Sequence, residues 1–180
     1  HLLVRTSRSR DFFSPNDLEK YFTVNAAGHT VSSTFGFGVI DASALVREGR
    51  NWQRIPEQRR YQNQYTRRQD RLNRTSNNYF IICGTTNLNS LEHVEVRLNY
   101  TAINGGQIQW RLVSPGGTSS TILPGRNLDV QQNVDISVIS NQFWDENPTG
   151  QWRLSAVIAD DFHYGTLNSW SLTMYGYYKN

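Results

Sequence analysis

The stretch Phe143–Leu154, FWDENPTGQWRL, sets an indole on either side of a turn. Trp144 is expected to end one extended run and Trp152 to begin the next, with Asn147-Pro148-Thr149-Gly150 reversing the chain between them. Pro148 holds φ near the value of a first turn position, and Gly150 supplies the freedom that a tight reversal requires. Past the corner, Trp152, Leu154, Ala156 and Ile158 alternate with Arg153, Ser155 and Val157, the period-two pattern of a half-buried strand. The residue types are those of a packed corner, not of a reaction centre.

Working outward, the same period recurs on both sides. Upstream, Val134, Ile136 and Val138 form one inward row, Ile108, Trp110 and Leu112 another, and Val94, Val96, Leu98 and Tyr100 the cleanest alternation in the chain. Tyr79 to Cys83 is a short apolar run, and downstream Trp170, Leu172 and Met174 share one face. Gly105-Gly106, Ser114-Pro115-Gly116-Gly117 and Pro124-Gly125 punctuate these runs as turns. Short strands at this spacing predict a mainly β fold, a two-sheet antiparallel sandwich or jelly roll over residues 76–180.

The region before it has a different character. Arginines at 54, 59, 60, 67, 68, 71 and 74 sit among Gln, Asn and Tyr, opposed by Glu57 and Asp70, so residues 53–75 read as a solvated linker or exposed loop leading into the sandwich. The pairs Arg59-Arg60 and Arg67-Arg68 invite a proteolytic nick, with plain solvated charge as the default. Residues 1–52 hold a helix end at His1–Thr6, turns at Ser14–Asp17 and Asn25–Gly28, strands near His29–Ser33 and Phe35–Ile40, and a helix capped by Asp41 that ends near Gly49, with Trp52 pinning its exit. That is too little to bury a core alone, so it reads as an α/β remnant of a larger domain.

Composition narrows the function. A formal charge of +3, drawn mostly from one arginine-rich stretch, argues against a nucleic-acid interface, and no apolar run is long enough to span a bilayer. No signal peptide opens the chain, and its start reads as the middle of a longer protein. The lone Cys83, next to Ile81 and Ile82, is expected to be a buried free thiol that fills space. Nucleophilic catalysis needs a Ser or Cys held against an oriented base. The histidines at 1, 29, 93 and 163 are scattered over unrelated elements, and no serine sits in a nucleophile elbow, so no catalytic residue is assigned. Asp145-Glu146 and Asp160-Asp161 raise a calcium site as one reading, with turn capping or surface charge favoured and no metal ligand assigned. Trp110, Trp144, Trp152 and Trp170 are assigned to the core with Leu98, Leu112, Leu154 and Leu172; the alternative is an aromatic floor for a sugar, in a carbohydrate- or protein-binding jelly roll. Asn99-Tyr100-Thr101 is the better glycosylation acceptor, with Asn99 facing outward beside Glu95 and Arg97, and Asn73-Arg74-Thr75 is the weaker.

Several longer stretches carry a resemblance. GHTVSSTFGFGVIDASALVREGRNW (Gly28–Trp52) resembles the end of the catalytic domain in kexin- and furin-like proprotein convertases, which are subtilisin-type serine proteases, and HLLVRTS is similar to the helix after their nucleophilic serine. LEHVEVRLNYTA, RLVSPGGTSSTIL, WDENPTGQWRL and YGTLNSWSLTMYG together resemble the P domain (homo B domain) of the same family. The resemblance implies a parent that is a calcium-dependent endoprotease of the secretory pathway, Golgi, vesicular or extracellular, cutting precursor proteins after paired basic residues. Its triad would lie upstream of His1, its calcium in the parent catalytic domain, and no cofactor in this segment. The partner of the sandwich would be the parent's own catalytic domain, which the P domain stabilises and tunes. Two departures stand out. The Arg-Gly-Asp turn of many relatives is replaced by Asn104-Gly105-Gly106-Gln107, and where relatives pair two cysteines Cys83 matches the second while the first falls near Tyr61.

Overall fold

Three short helices and two minimal strands precede the sandwich: α1 (Leu2–Thr6), α2 (Pro15–Tyr21), β1 (Thr23–Val24), β2 (Thr30–Val31) and α3 (Ala42–Gly49). The structure, a computed structural model, describes residues 1–9, 13–72, 77–84, 87–126, 128–158 and 165–179, with 65–70 as backbone. Ser14–Asp17, expected as a turn, starts a helix: the Ser14 hydroxyl accepts from Asp17 N–H at 3.2 Å and Pro15 occupies the first helical position, where its missing N–H costs nothing. Asp41 caps α3 as anticipated, accepting from Ala44 N–H at 2.8 Å. Phe35–Ile40 is not a strand. Gly36 and Gly38 take positive φ (58° and 105°), which breaks the pleat, and only isolated bridges remain, Ser32 with Gly36 and Arg8 with Val39. Close backbone approach is nonetheless real, since a Cβ on Gly38 would lie 2.6 Å from the Arg8 carbonyl oxygen.

Eight strands follow: β3 (Arg59–Leu72), β4 (Asn77–Cys83), β5 (Ser90–Ala102), β6 (Ile108–Val113), β7 (Ser119–Leu123), β8 (Asn133–Ser140), β9 (Gly150–Ile158) and β10 (Gly165–Tyr177). They form two antiparallel four-stranded sheets, β3-β10-β5-β8 and β4-β9-β6-β7. Each sheet interleaves early and late strands, the arrangement of an eight-stranded jelly roll. Their inner faces enclose one core in which Trp110, Trp152, Tyr100, Phe143 and Leu154 are fully buried. An indole of this kind removes ~150–250 Å² from water, worth ~4–6 kcal/mol before entropy is charged against it, so three of them dominate the sandwich.

The arginine-rich stretch corrects the linker reading. Residues 59–72 form a strand at the edge of the first sheet, paired along β10, with both Arg-Arg pairs inside it. Polar composition hid it because an edge strand needs few apolar contacts and gains from charge that blocks further pairing. Tyr61 packs on the core, and a register shift between Leu167 and Ser169 brings Leu72, at the opposite parity, to full burial as well.

Candidate functional site, a polar clasp at one end of the sandwich

The corner that follows β8 is the place where residues 1–52 are tied to the sandwich. The extended run ends at Ser140, so Trp144 falls in the turn and Phe143 takes the core position. Trp144, expected inside, is half-buried at the rim: its indole meets the His1 ring edge-on at 4.8 Å and the Phe37 ring at 5.8 Å. Asp145 adopts φ 68°, a left-handed value that Asp tolerates better than most residues. The turn is pinned to the start of β5, with Asp145 N–H donating to Leu91 O at 2.6 Å and Leu91 N–H to Glu146 O at 3.0 Å.

This twist sends the two adjacent carboxylates in opposite directions. Glu146, 3% exposed, accepts from Ser114 Oγ at 2.6 Å, from Thr118 Oγ1 and from the Ala26 N–H at 3.2 Å. A carboxylate buried so completely is tolerable only because donors surround it. Asp145 faces Ser90, Lys179 and His29, with His29 Nε2 at 3.5 Å. Burial pushes its carboxyl up, but bonds from Lys179, Ser90 and His29 more than offset this and hold it below the ordinary carboxylate value.

Asn25 completes the clasp from the other side. Its Nδ2 donates to Gln142 O (3.1 Å) and Trp144 O (2.8 Å), while Oδ1 accepts from Ala27 N–H (3.1 Å) and His29 N–H (2.9 Å). All four hydrogen-bonding positions of the amide are used, and the residue is buried. Nearby, His1 Nε2 lies 2.6 Å from Glu92 Oε1, and Glu92 also holds Gln58. By residue type and position alone, Asp145-Glu146 suit a turn cap or the surface, and Asn25 suits an ordinary turn. The available signal was an acid two residues before a proline in an aromatic corner.

The other expected residues fall as follows. Trp110, Trp152, Trp170, Leu98, Leu112, Leu154 and Leu172 are buried in the core. Pro148 is buried and its carbonyl accepts from Trp152 Nε1 at 2.9 Å; Gly150 has φ 131°, and a Cβ there would press on the Pro115 ring at 2.8 Å. Cys83 is free and buried, and burial pushes its thiol up to about 11. Asn99 lies on the outer face of β5 but is half-buried, accepting from Asn168 Nδ2 at 2.8 Å. Asn73, Asp160, Asp161 and His163 lie outside the described residues. Among the described residues no three His, Cys, Asp or Glu side chains converge as a metal site, and Asp145 and Glu146 point apart, which suits hydrogen bonding and not a shared cation. With three indoles enclosed and Trp144 covered by His1 and Phe37, these tryptophans form no open floor for a sugar.

The jelly roll is thus bonded at one end to residues 1–52 through buried polar groups. Residues 91–174 match the proprotein convertase P-domain. Proprotein convertase subtilisin/kexin type 6 of Homo sapiens is 32% identical over 98% of this chain and 19% of its own length, and furin of Bos taurus is 32% identical over 98% of this chain and 22% of its own. Residues 91–174 thus form a P-domain of the proprotein convertase type, and the chain is similar along nearly its whole length to kexin- and furin-like convertases. It spans about a fifth of the length of the curated relatives it matches. In fold it is similar to the serine protease of Aeromonas sobria, with a TM-score of 0.77 over 98% of this chain and 39% of that one at 22% identity. Among the described residues no helix is long and apolar enough to cross a membrane.

Proposed function

We propose that this chain is the C-terminal part of a calcium-dependent, subtilisin-like serine endoprotease that processes precursor proteins after paired basic residues, in the secretory pathway or outside the cell. Residues 1–52 are the end of its catalytic domain, with the triad and the calcium sites upstream, and the sandwich braces that domain. The observation that carries this reading is the clasp: Asn25, Ala26 and His29 on one side are bonded through buried polar groups to Gln142, Trp144, Asp145 and Glu146 on the other. A linker joining two independent units has no reason to bury such groups, whereas a brace needs direction as well as area, and hydrogen bonds supply direction. Exposed Val24, Val39 and Ile40 on residues 1–52 support a further body packed against that segment. Modification of Asn99 belongs to the same proposal, the acceptor being reached before β8 and β10 close beside it. In the full-length parent, Asn25→Ala is expected to leave the sandwich folded while the yield of secreted activity on a fluorogenic Arg-Arg peptide falls severalfold. Unchanged yield and heat tolerance would refute the brace.

A further inference from the structure

Where α1 and the end of α3 approach the last residues of β10, the surface opens into a groove of about 760 Å³. Its charged lining is one-sided, with Arg5, Arg47, Arg54 and Lys179 against Glu48. Lys179 is engaged by Asp145. Arg5 lies over the Trp52 ring at 5.5 Å, and neither it nor Arg47 nor Arg54 enters an ion pair among the described residues. Three guanidinium groups from separate backbone segments line one concavity, and a recessed, predominantly positive site concentrates anions. Trp52, Ile55, Pro56 and Tyr177 line the same space, with Ile55 38% exposed.

The combination selects among anions. A sulfated or phosphorylated sugar polymer matches the charge but leaves the apolar lining without a counterpart. A peptide with carboxylates beside a large apolar side chain matches both. We propose that this seam groove binds an acidic peptide segment carrying an apolar side chain, its carboxylates on Arg5, Arg47 and Arg54 and its apolar group against Trp52 and Ile55. The site adjoins the clasp through Lys179 and joins both parts of the molecule, so its occupancy is coupled to how they sit together.

The test is fluorescence anisotropy of a labelled peptide of alternating Glu and Leu, titrated into the full chain at physiological salt. Saturable binding is expected, and Arg47→Glu with Arg54→Glu should weaken it about tenfold or more. The charge-matched pair Arg111→Glu and Arg153→Glu, exposed on the other sheet, should change it less than about twofold. Should the first pair perturb folding, Arg47→Gln with Arg54→Gln gives the same comparison with less charge change. A Glu-Gly peptide should bind more weakly than Glu-Leu. Equal losses in the two charge-matched pairs would reduce the effect to net charge and overturn the proposal. So would tight binding of a sulfated oligosaccharide, dependent on Arg47 and Arg54, with no binding of the peptide.

Discussion

In the sandwich Trp110, Trp152 and Trp170 are at most 1% exposed, whereas in residues 1–52 Val24, Ile40 and Val46 are exposed at 61%, 60% and 56%. One region encloses a large apolar core of its own; among the described residues of the other, only Val31 and Ala44 are buried apolar side chains. Their attachment differs accordingly. The sandwich is held by interdigitated apolar rows, which are strong but carry little direction. Residues 1–52 are held by a few buried polar groups, Asn25 and Glu146 foremost, that fix one orientation. Cohesion within a module and alignment between modules are therefore assigned to different chemistry.

The comparison can be broken first at the core. Trp152→Ala removes a fully buried indole and its bond to Pro148, and should cost ~3–5 kcal/mol in urea unfolding. Loss should be global, with amides of β4, β6 and β9 exchanging together. Glu146→Ala is next, leaving the Ser114 and Thr118 hydroxyls without their acceptor at ~1–3 kcal/mol, while the Ala26 N–H keeps its 2.8 Å bond to Thr118 Oγ1. Its signature is local: hydrogen exchange should rise over residues 22–31 while the strands stay protected. If both variants exchange alike, the two regions are one cooperative unit and the contrast fails.

A pH series sharpens it further. Burial pushes the His93 imidazole below its ordinary value, against the pull of Glu92 and Glu95. A base with a depressed folded pKa contributes stability that is full above about 6.5 and declines as pH falls below it. Asp145 is an acid with a depressed folded pKa, so its contribution is full above about 3.9 and is lost as pH falls through the lower folded value. Urea midpoints should thus fall in two windows on acidification. His93→Gln should flatten the upper step, in the sandwich, and Asp145→Asn the lower one, at the clasp. The smallest effect is expected from Arg97→Ala. Its bond to Asp135 at 2.9 Å is well formed but open to solvent, so the melting midpoint should not move measurably.

Strand alternation made most of the sandwich legible in advance, because a period of two is written in consecutive residues and needs no knowledge of partners. Val94 to Tyr100 and Trp152 to Ile158 are of this kind. The edge strand Arg59–Leu72 was not legible, since its ladder is supplied by β10, a hundred residues later, and its own side chains carry almost no apolar signal. The clasp was legible only in pieces. Asp145-Glu146 stood out as paired acids, but their opposite directions follow from one left-handed residue.

The sequence by itself determined the antiparallel sandwich, the core indoles at Trp110, Trp152 and Trp170 and the turn at Pro148–Gly150, because burial period and turn chemistry are local properties. Only the tertiary structure decided that Trp144 belongs to a rim and not a core, that Glu146 is buried among Ser114, Thr118 and Ala26, and that the arginine-rich stretch is a strand. Each of these depends on which distant groups arrive beside the residue, and burial of a polar group is stable only once its partners are in place.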